Sequence, residues 1–258
     1  MQHLENIIQN KLLEINILKK SQKSYYESEL LNNKCSGFLS ALRNTKNNNP
    51  IVAEIKRYSP SKGELDLSID VANLAKIYED SGATCISVLT DKKFFRGSND
   101  DLKIVKKSTS LPILRKDFIV DEIQIYESKI IGADCILLIL SCLKESEFLR
   151  LLEVSKRLEI DVLVEVHDKR ELDIALRANC DLIGINNRNL KTFEVSTQTS
   201  IDLIEQIDVT DKFIISESGI SNVDDINKLK GYGINGFLIG ESLIISTDIS
   251  SHLRNLVG

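Results

Sequence analysis

No stretch of this chain approaches the roughly 18 consecutive apolar residues of a membrane-spanning helix. Its opening, MQHLENIIQNKLLEIN, is charged throughout, unlike a secretory leader. Histidine is scarce: His3, His167 and His252 lie far apart, which excludes a zinc enzyme of the HExxH type. The cysteines (Cys35, Cys85, Cys135, Cys142 and Cys180) are odd in number and form no CxxC pair. Cys85 and Cys135 fall inside apolar runs and read as small buried hydrophobes, so a reduced, cytoplasmic protein without structural disulfides is expected. Excess positive charge is lacking too. The formal net charge is −5 and basic residues are interspersed with acids, so neither nucleic acid nor a membrane surface is an expected partner. A GxGxxG turn after the first apolar run is also missing, which argues against an open dinucleotide-binding sheet.

What is present is rhythm. Residues 1–49 read as a helical extension: Leu4, Ile7, Ile8, Leu12, Ile15 and Leu18 keep helical spacing, and a second short helix is expected over Ser36–Arg43. From residue 51 onward, apolar β-branched runs recur at Ile51–Lys56, Cys85–Leu89, Pro112–Arg115, Cys135–Leu140, Val162–Val166, Leu182–Ile185, Phe213–Ser216 and Gly236–Ile239. Amphipathic segments of helical length separate them: Ile69–Asp80, Asn99–Lys107, Asp121–Ile131, Lys144–Leu158, Lys169–Ala178, Thr199–Ile207 and Ser221–Lys230, with a last one after Glu241. Strands alternating with helices call for a parallel sheet, and runs apolar on both faces suit strands covered by helices. Eight such units predict a single α/β domain over 1–258, a closed (β/α)₈ TIM barrel carrying the N-terminal extension.

A barrel gathers the C-terminal ends of its strands at one mouth, and unusual polar residues fall at those ends. The first run carries Glu54 and Lys56, two apart and therefore on one face, followed by Ser59. Charges on one face of a core strand are costly unless paired or working. The third run leads to Lys116, the fifth to Glu165 and His167, and the sixth to Asn186 and Arg188. The seventh leads to Glu217, Ser218 and Gly219, and the eighth to Gly240, Glu241 and Ser242. Lysines and glutamates converging on one mouth suit general acid–base work, whereas His167 reads as an orienting or satisfied histidine. The loops after runs seven and eight are where barrels commonly hold phosphate, and glycine there permits close backbone approach. Ser59 and Arg188 could add side-chain donors.

The stretches AEIKRYSPSKG, SVLTD, FFRGS, LPILRKDFIVDEIQIYES, GADCILLI, VLVEVHD, GINNRNL, SESGI and FLIGESL resemble the indole-3-glycerol phosphate synthase family, the barrel of tryptophan biosynthesis. The resemblance runs from about residue 4 to residue 245 and includes the helical arm, which in that family lies over the active-site mouth. It implies conversion of 1-(2-carboxyphenylamino)-1-deoxyribulose 5-phosphate into indole-3-glycerol phosphate, with loss of carbon dioxide and water and with no metal or organic cofactor. By motif, Lys116 would be the acid at the carbonyl during ring closure. Lys56 would assist there or protonate the departing hydroxyl, with Glu54 holding the lysine charge and the substrate hydroxyls. Glu165 would be the closing base, and the division of roles among these four stays open at this point. Asn186 would orient the substrate, and Arg188 would steer its carboxylate or order the loop. Ser59, Ser218, Gly219 and Gly240 would hold phosphate, and Glu217 is counted with the substrate-binding residues. Phe95 and Phe118 would line a slot for the aromatic ring, with Leu137 and Leu138 as strand candidates. Glu241 departs from relatives with a small residue against the phosphate, so its carboxylate is expected to point outward. The chain ends soon after the eighth unit, so no fused isomerase domain is expected. A monomer or weak homodimer is expected. Competing readings are a phosphoribosylanthranilate isomerase-like enzyme and a non-catalytic phosphate-binding barrel.

Overall fold

The computed structural model describes residues 2–29, 35–60, 62–189, 192–205 and 211–258, with side chains for all of these except 2, 3 and 21–29. Eight parallel strands close into a barrel: β1 Ile51–Ile55, β2 Cys85–Leu89, β3 Ile113–Lys116, β4 Cys135–Ile139, β5 Asp161–Val166, β6 Leu182–Asn186, β7 Phe213–Glu217 and β8 Gly236–Ile239. Each strand pairs with its neighbour in sequence, and β1 closes on β8 through Val52–Leu238 and Ala53–Ile239. The expected strands therefore stand within a residue or two of their apolar runs.

Alternation along these strands makes two cores. Val52, Leu114, Leu137, Leu163, Leu182, Ile215 and Leu238 fill the barrel interior. Their neighbours Ile51, Ala53, Ile55, Ile113, Ile136, Leu138, Val164, Ile183 and Ile214 pack outward under the helices. Burial of each Leu or Ile side chain contributes roughly 1.5–3 kcal/mol, so both faces of a strand add to its placement. The covering helices follow in order: α3 Val71–Asp80, α4 Lys92–Phe95, α5 Asn99–Ser108, α6 Glu122–Ile131, α7 Glu145–Arg157, α8 Lys169–Arg177, α9 Gln198–Ile204, α10 Val223–Gly231, α11 Glu241–Ile244 and α12 Ile249–Val257. Their starts are set by side-chain caps, among them Asp70 on α3, Asp121 on α6, Asp168 on α8 and Asn222 on α10. The expected helix end at Ile207 lies outside the described residues, as do Ser61 and Leu190 of the quoted motifs.

The arm splits between the two ends of the barrel. Helix α1 (Gln2–Glu29) lies against α6, with Ile15 packed on Ile123, while Leu4 and Ile7 reach the cavity at the C-terminal mouth. Helix α2 (Phe38–Asn44) plugs the opposite end. There Phe38 and Leu42 join the interior core, and the Leu39 N–H donates to Asp161, the first residue of β5, at 2.9 Å. Leu4 and Ile7 of α1 thus border the C-terminal mouth, whereas α2 lies at the other end of the barrel. The physical reason is that the N-terminal ends of the strands leave an apolar opening that α2 fills.

Candidate active site

The inward phase that fills the barrel with Val52, Leu114, Leu163, Leu182 and Ile215 continues, two residues on, to Glu54, Lys116, Glu165, Gly184 and Glu217. Apolar layers below thus give way to a charged layer at the mouth. One cavity there is lined by Glu54, Lys56, Ser59, Lys116, Glu165, Asn186, Arg188 and Ser218, with Phe95, Phe118 and Leu137 on its apolar side. Glu217 stands just behind it, joined to Lys116, whereas Gly219 and Gly240 are not among its lining residues.

Lys116 Nζ lies 3.1 Å from Glu165 Oε2 and 3.0 Å from Glu217 Oε2, and Lys56 Nζ lies 2.6 Å from Glu54 Oε1. Burial, the largest single influence on Lys116, favours loss of its proton, yet Glu165, Glu217 and Glu54 together outweigh it and hold the ammonium well above its ordinary value. The two carboxylates on this lysine diverge. Burial works to raise Glu165, but Lys116, His167 and Asn186 overcome it and keep the group firmly ionised. Glu217 is pushed up, chiefly by burial, with repulsion from Glu165 adding to it against the attraction of Lys116. Glu217 is thus the carboxyl of the pair that more readily carries a proton. His167 faces this group: its Nε2 is 3.2 Å from Glu165 Oε1 and its Nδ1 is 3.2 Å from Glu171 Oε2.

Two glycines make room for the carboxylates. A Cβ at Gly184 would fall 2.1 Å from Glu217 Oε1, and one at Gly240 would fall 2.7 Å from Glu54 Oε1. Gly240 therefore has a packing reason to be glycine, besides its expected part in holding phosphate. The turn after β7 places Ser218 and Gly219 at φ 67° and 79°, in the left-handed region. Ser218 Oγ donates to Asn186 Oδ1 at 3.0 Å, and the same oxygen accepts the Arg188 N–H. Beneath them the buried Asn187 donates to Ser216 Oγ and the Ser218 carbonyl, both at 2.9 Å, and accepts from Ser200. This side chain staples the loops after β6 and β7 together. Sequence reasoning passed over it, because an Asn-Asn pair reads as a turn. Glu241 turns to Lys62, 3.2 Å away at the rim.

On the apolar side, the Phe95 and Phe118 rings are tilted at 38° with centroids 6.1 Å apart. Short helix α4 presents Phe95, and its cap Asp91 accepts the Phe94 N–H at 2.7 Å. Leu4, Ile7, Leu89, Ile139, Pro60 and Phe193 complete this wall. Sequence reasoning had not named them, although Leu4 and Ile7 opened the helical stripe it did find. Leu138, named as a lining candidate, faces the outer core, because consecutive residues of β4 point to opposite faces.

The arrangement offers two lysines that can donate protons, carboxylates that can accept them, and an apolar slot beside both. Comparison with known proteins bears on the fold and the family. A thiamine phosphate pyrophosphorylase structure from Pyrococcus furiosus superposes with a TM-score of 0.58 over 81% of this chain and 93% of its own, at 14% identity, a likeness of fold alone. Sequence likeness is closer. The chain is 45% identical over 255 residues, 98% of each chain, to an indole-3-glycerol phosphate synthase of Legionella pneumophila (strain Paris). It is 42% identical over 254 residues, 97% of this chain and 98% of the relative, to one of Chlorobium chlorochromatii. The family model described as indole-3-glycerol phosphate synthase matches residues 4–256, a span that takes in the arm, all eight strands and every charged group at the mouth, and the chain belongs to that family.

Proposed function

We propose that this mouth closes the indole ring: the chain is an indole-3-glycerol phosphate synthase, a carboxy-lyase of tryptophan biosynthesis. The observation that carries the reading is the pair of lysines, each held by a carboxylate, on one cavity whose other wall is aromatic and aliphatic. The substrate is 1-(2-carboxyphenylamino)-1-deoxy-D-ribulose 5-phosphate. Its aryl ring lies against Phe95, Phe118 and Leu137. Ser59, Ser218 and the backbone at Gly219 and Gly240 hold its phosphate, and Asn186 and Arg188 orient the sugar and the carboxylate.

In the first step the ring carbon bearing the carboxylate attacks the C2′ carbonyl, whose oxygen takes a proton from Lys116. Carbon dioxide then leaves and the ring regains aromaticity. In the second step the new hydroxyl departs as water with a proton from Lys56, while Glu165 accepts the proton released as the pyrrole ring forms. Lys116 holds its proton tightly while Glu165 and Glu217 both face it. Substrate groups that displace Glu217, or a proton on Glu217, loosen that hold and ready the lysine for donation. The acting protein is a cytoplasmic monomer or weak homodimer. Incubation with the substrate and detection of indole fluorescence tests the assignment. Production of indole-3-glycerol phosphate is expected, and its absence with well-folded protein overturns the reading.

A further inference from the structure

We propose that His167, held by Glu171, is a positioning residue that keeps Glu165 ionised and aimed while Lys116 gives up its proton. This rests on the reading of Glu165 as the accepting base.

The geometry is that of a ring between two carboxylates. Glu165 and His167 are two apart at the end of β5 and share a face, and both side chains are largely buried. His167 Nε2 lies 3.2 Å from Glu165 Oε1, close enough for charge attraction but not aligned as a hydrogen bond. On the other side Nδ1 meets Glu171 Oε2 at 3.2 Å, and that same oxygen accepts the His167 backbone N–H at 2.8 Å. Glu171 is itself fixed in the first turn of α8, where its N–H is accepted by the cap Asp168 at 2.9 Å. A neutral imidazole has one donor, and two facing carboxylates favour the doubly protonated ring. Burial opposes the charge, yet Glu165 and Glu171 outweigh it and lift the imidazole to about 10.

The two oxygens of Glu165 are thereby divided: Oε2 faces Lys116 and Oε1 faces His167. Once Lys116 passes its proton to the substrate, Glu165 loses its nearest countercharge in a buried setting, which favours protonating it early. The imidazolium is the cation that remains directly against Glu165. Other groups around the pair are Glu217 across Lys116, the half-buried Cys142 after β4, and Arg188, Asn186 and Asp168 in the adjoining cleft. Of these charged side chains Arg188 alone is a cation, and its guanidinium donates to the Phe193 carbonyl at 3.2 Å.

The experiment compares wild type with His167→Gln, which keeps a donor but no charge, and Glu171→Gln, which leaves the histidine in place. Carboxyl-carbon NMR of Glu165 and imidazole NMR of His167 read the pairing without turnover. pH profiles of kcat and KM read its use. In His167→Gln, Glu165 should titrate higher by about one pH unit or more, the scale of losing one close opposite charge. The acidic limb of kcat should move with it, and kcat should fall about 10- to 100-fold, as for a misaligned reacting group, with KM little changed. Glu171→Gln should lower the His167 titration and shift the same limb less. Melting temperatures identify any variant that fails to fold, in which case the Glu171→Gln and wild-type titrations still decide. A wild-type His167 that titrates near its ordinary value, or a His167→Gln enzyme whose kcat and acidic limb stand unmoved, overturns the proposal. Wild-type protein that shows the paired titrations but makes no indole product overturns the reaction assignment instead.

Discussion

Arg115, Lys116 and Asp117 are consecutive, yet they belong to two different charged clusters. Lys116 points into the barrel mouth. Arg115 and Asp117 point outward, between the barrel and its helices. At the centre of the outer cluster the cation is fully partnered: Arg115 donates to Thr90 Oγ1 (3.1 Å), the Gln124 carbonyl (3.2 Å), Ser128 Oγ (3.0 Å) and Glu127 Oε2 (2.7 Å). Asp117 accepts from Thr90 Oγ1 at 2.6 Å and from its neighbour Phe118 N–H at 2.8 Å, and it faces Lys11 of α1 at 2.9 Å. The inner cluster is unfinished. Glu217 Oε1 has no hydrogen-bond partner among the described residues, and Lys116 borders open space. Residue types and burial are alike in the two places. What separates the brace from the candidate reaction site here is whether the cation at its centre is already fully partnered.

That contrast can be broken by swapping the roles. Lys116→Ala should reduce kcat by about 10²–10⁴-fold, the usual range for a positioned proton donor, while the fold survives because Glu217 can take a proton in place of the lost cation. Steady-state fluorescence and circular dichroism check both halves. Arg115→Met should do the reverse, lowering stability by about 3–5 kcal/mol, since the buried Glu127 loses its ion pair with Arg115 and Asp117 keeps only Lys11 of its two cations. Urea unfolding measures that loss, and kcat below the melting temperature should stay within a few-fold of wild type.

A gentler test removes no ionisable group. Gly184→Ala places a Cβ where Glu217 Oε1 now lies, so Glu217 must move off Lys116. kcat should fall up to about 100-fold, the scale of an ångström of misplacement. The smallest effect is in pH dependence, where the clusters should differ in sign. Burial raises Asp117, but Lys11, Arg115 and Thr90 outweigh it, so its folded value is depressed. Its stabilising contribution is present above the unfolded value of about 3.9 and disappears as pH falls through the folded one. Glu217 is raised, so the folded state binds the extra proton. Its contribution is present below the unfolded value of about 4.3 and is lost as pH rises through the lifted one. Urea stability of wild type against Asp117→Asn and Glu217→Gln, compared at intervals from acid to neutral pH, should show these opposite slopes.

Much of the frame was legible beforehand, for a simple reason. A strand covered by helices outside and side chains inside must be apolar on both faces, so runs such as Cys85–Leu89 and Gly236–Ile239 announce themselves with their own bounds. The charged residues at their ends were legible because closure gathers them. The phase of a strand was harder: both Leu137 and Leu138 are apolar, and only the register with β5 says which faces in. Gly184 looked like an ordinary small residue in an apolar run, since its partner Glu217 is contributed by the next strand. Arg115 and Lys11 carried no local signal at all. Their partners lie on other elements, and nothing in a linear pattern distinguishes a buried cation from a solvated one.

The position of Lys11 has a consequence for how the molecule is assembled. Its ammonium sits 2.9 Å from Asp91, from Asp117 and from Glu14, so the contacts that seat α1 come mostly from segments made long after it. During synthesis the helix must wait, its apolar stripe uncovered, until the second and third strands and α6 have emerged. Docking of α1 therefore follows the formation of β2, β3 and α6, an order that pulse-labelled hydrogen exchange would time.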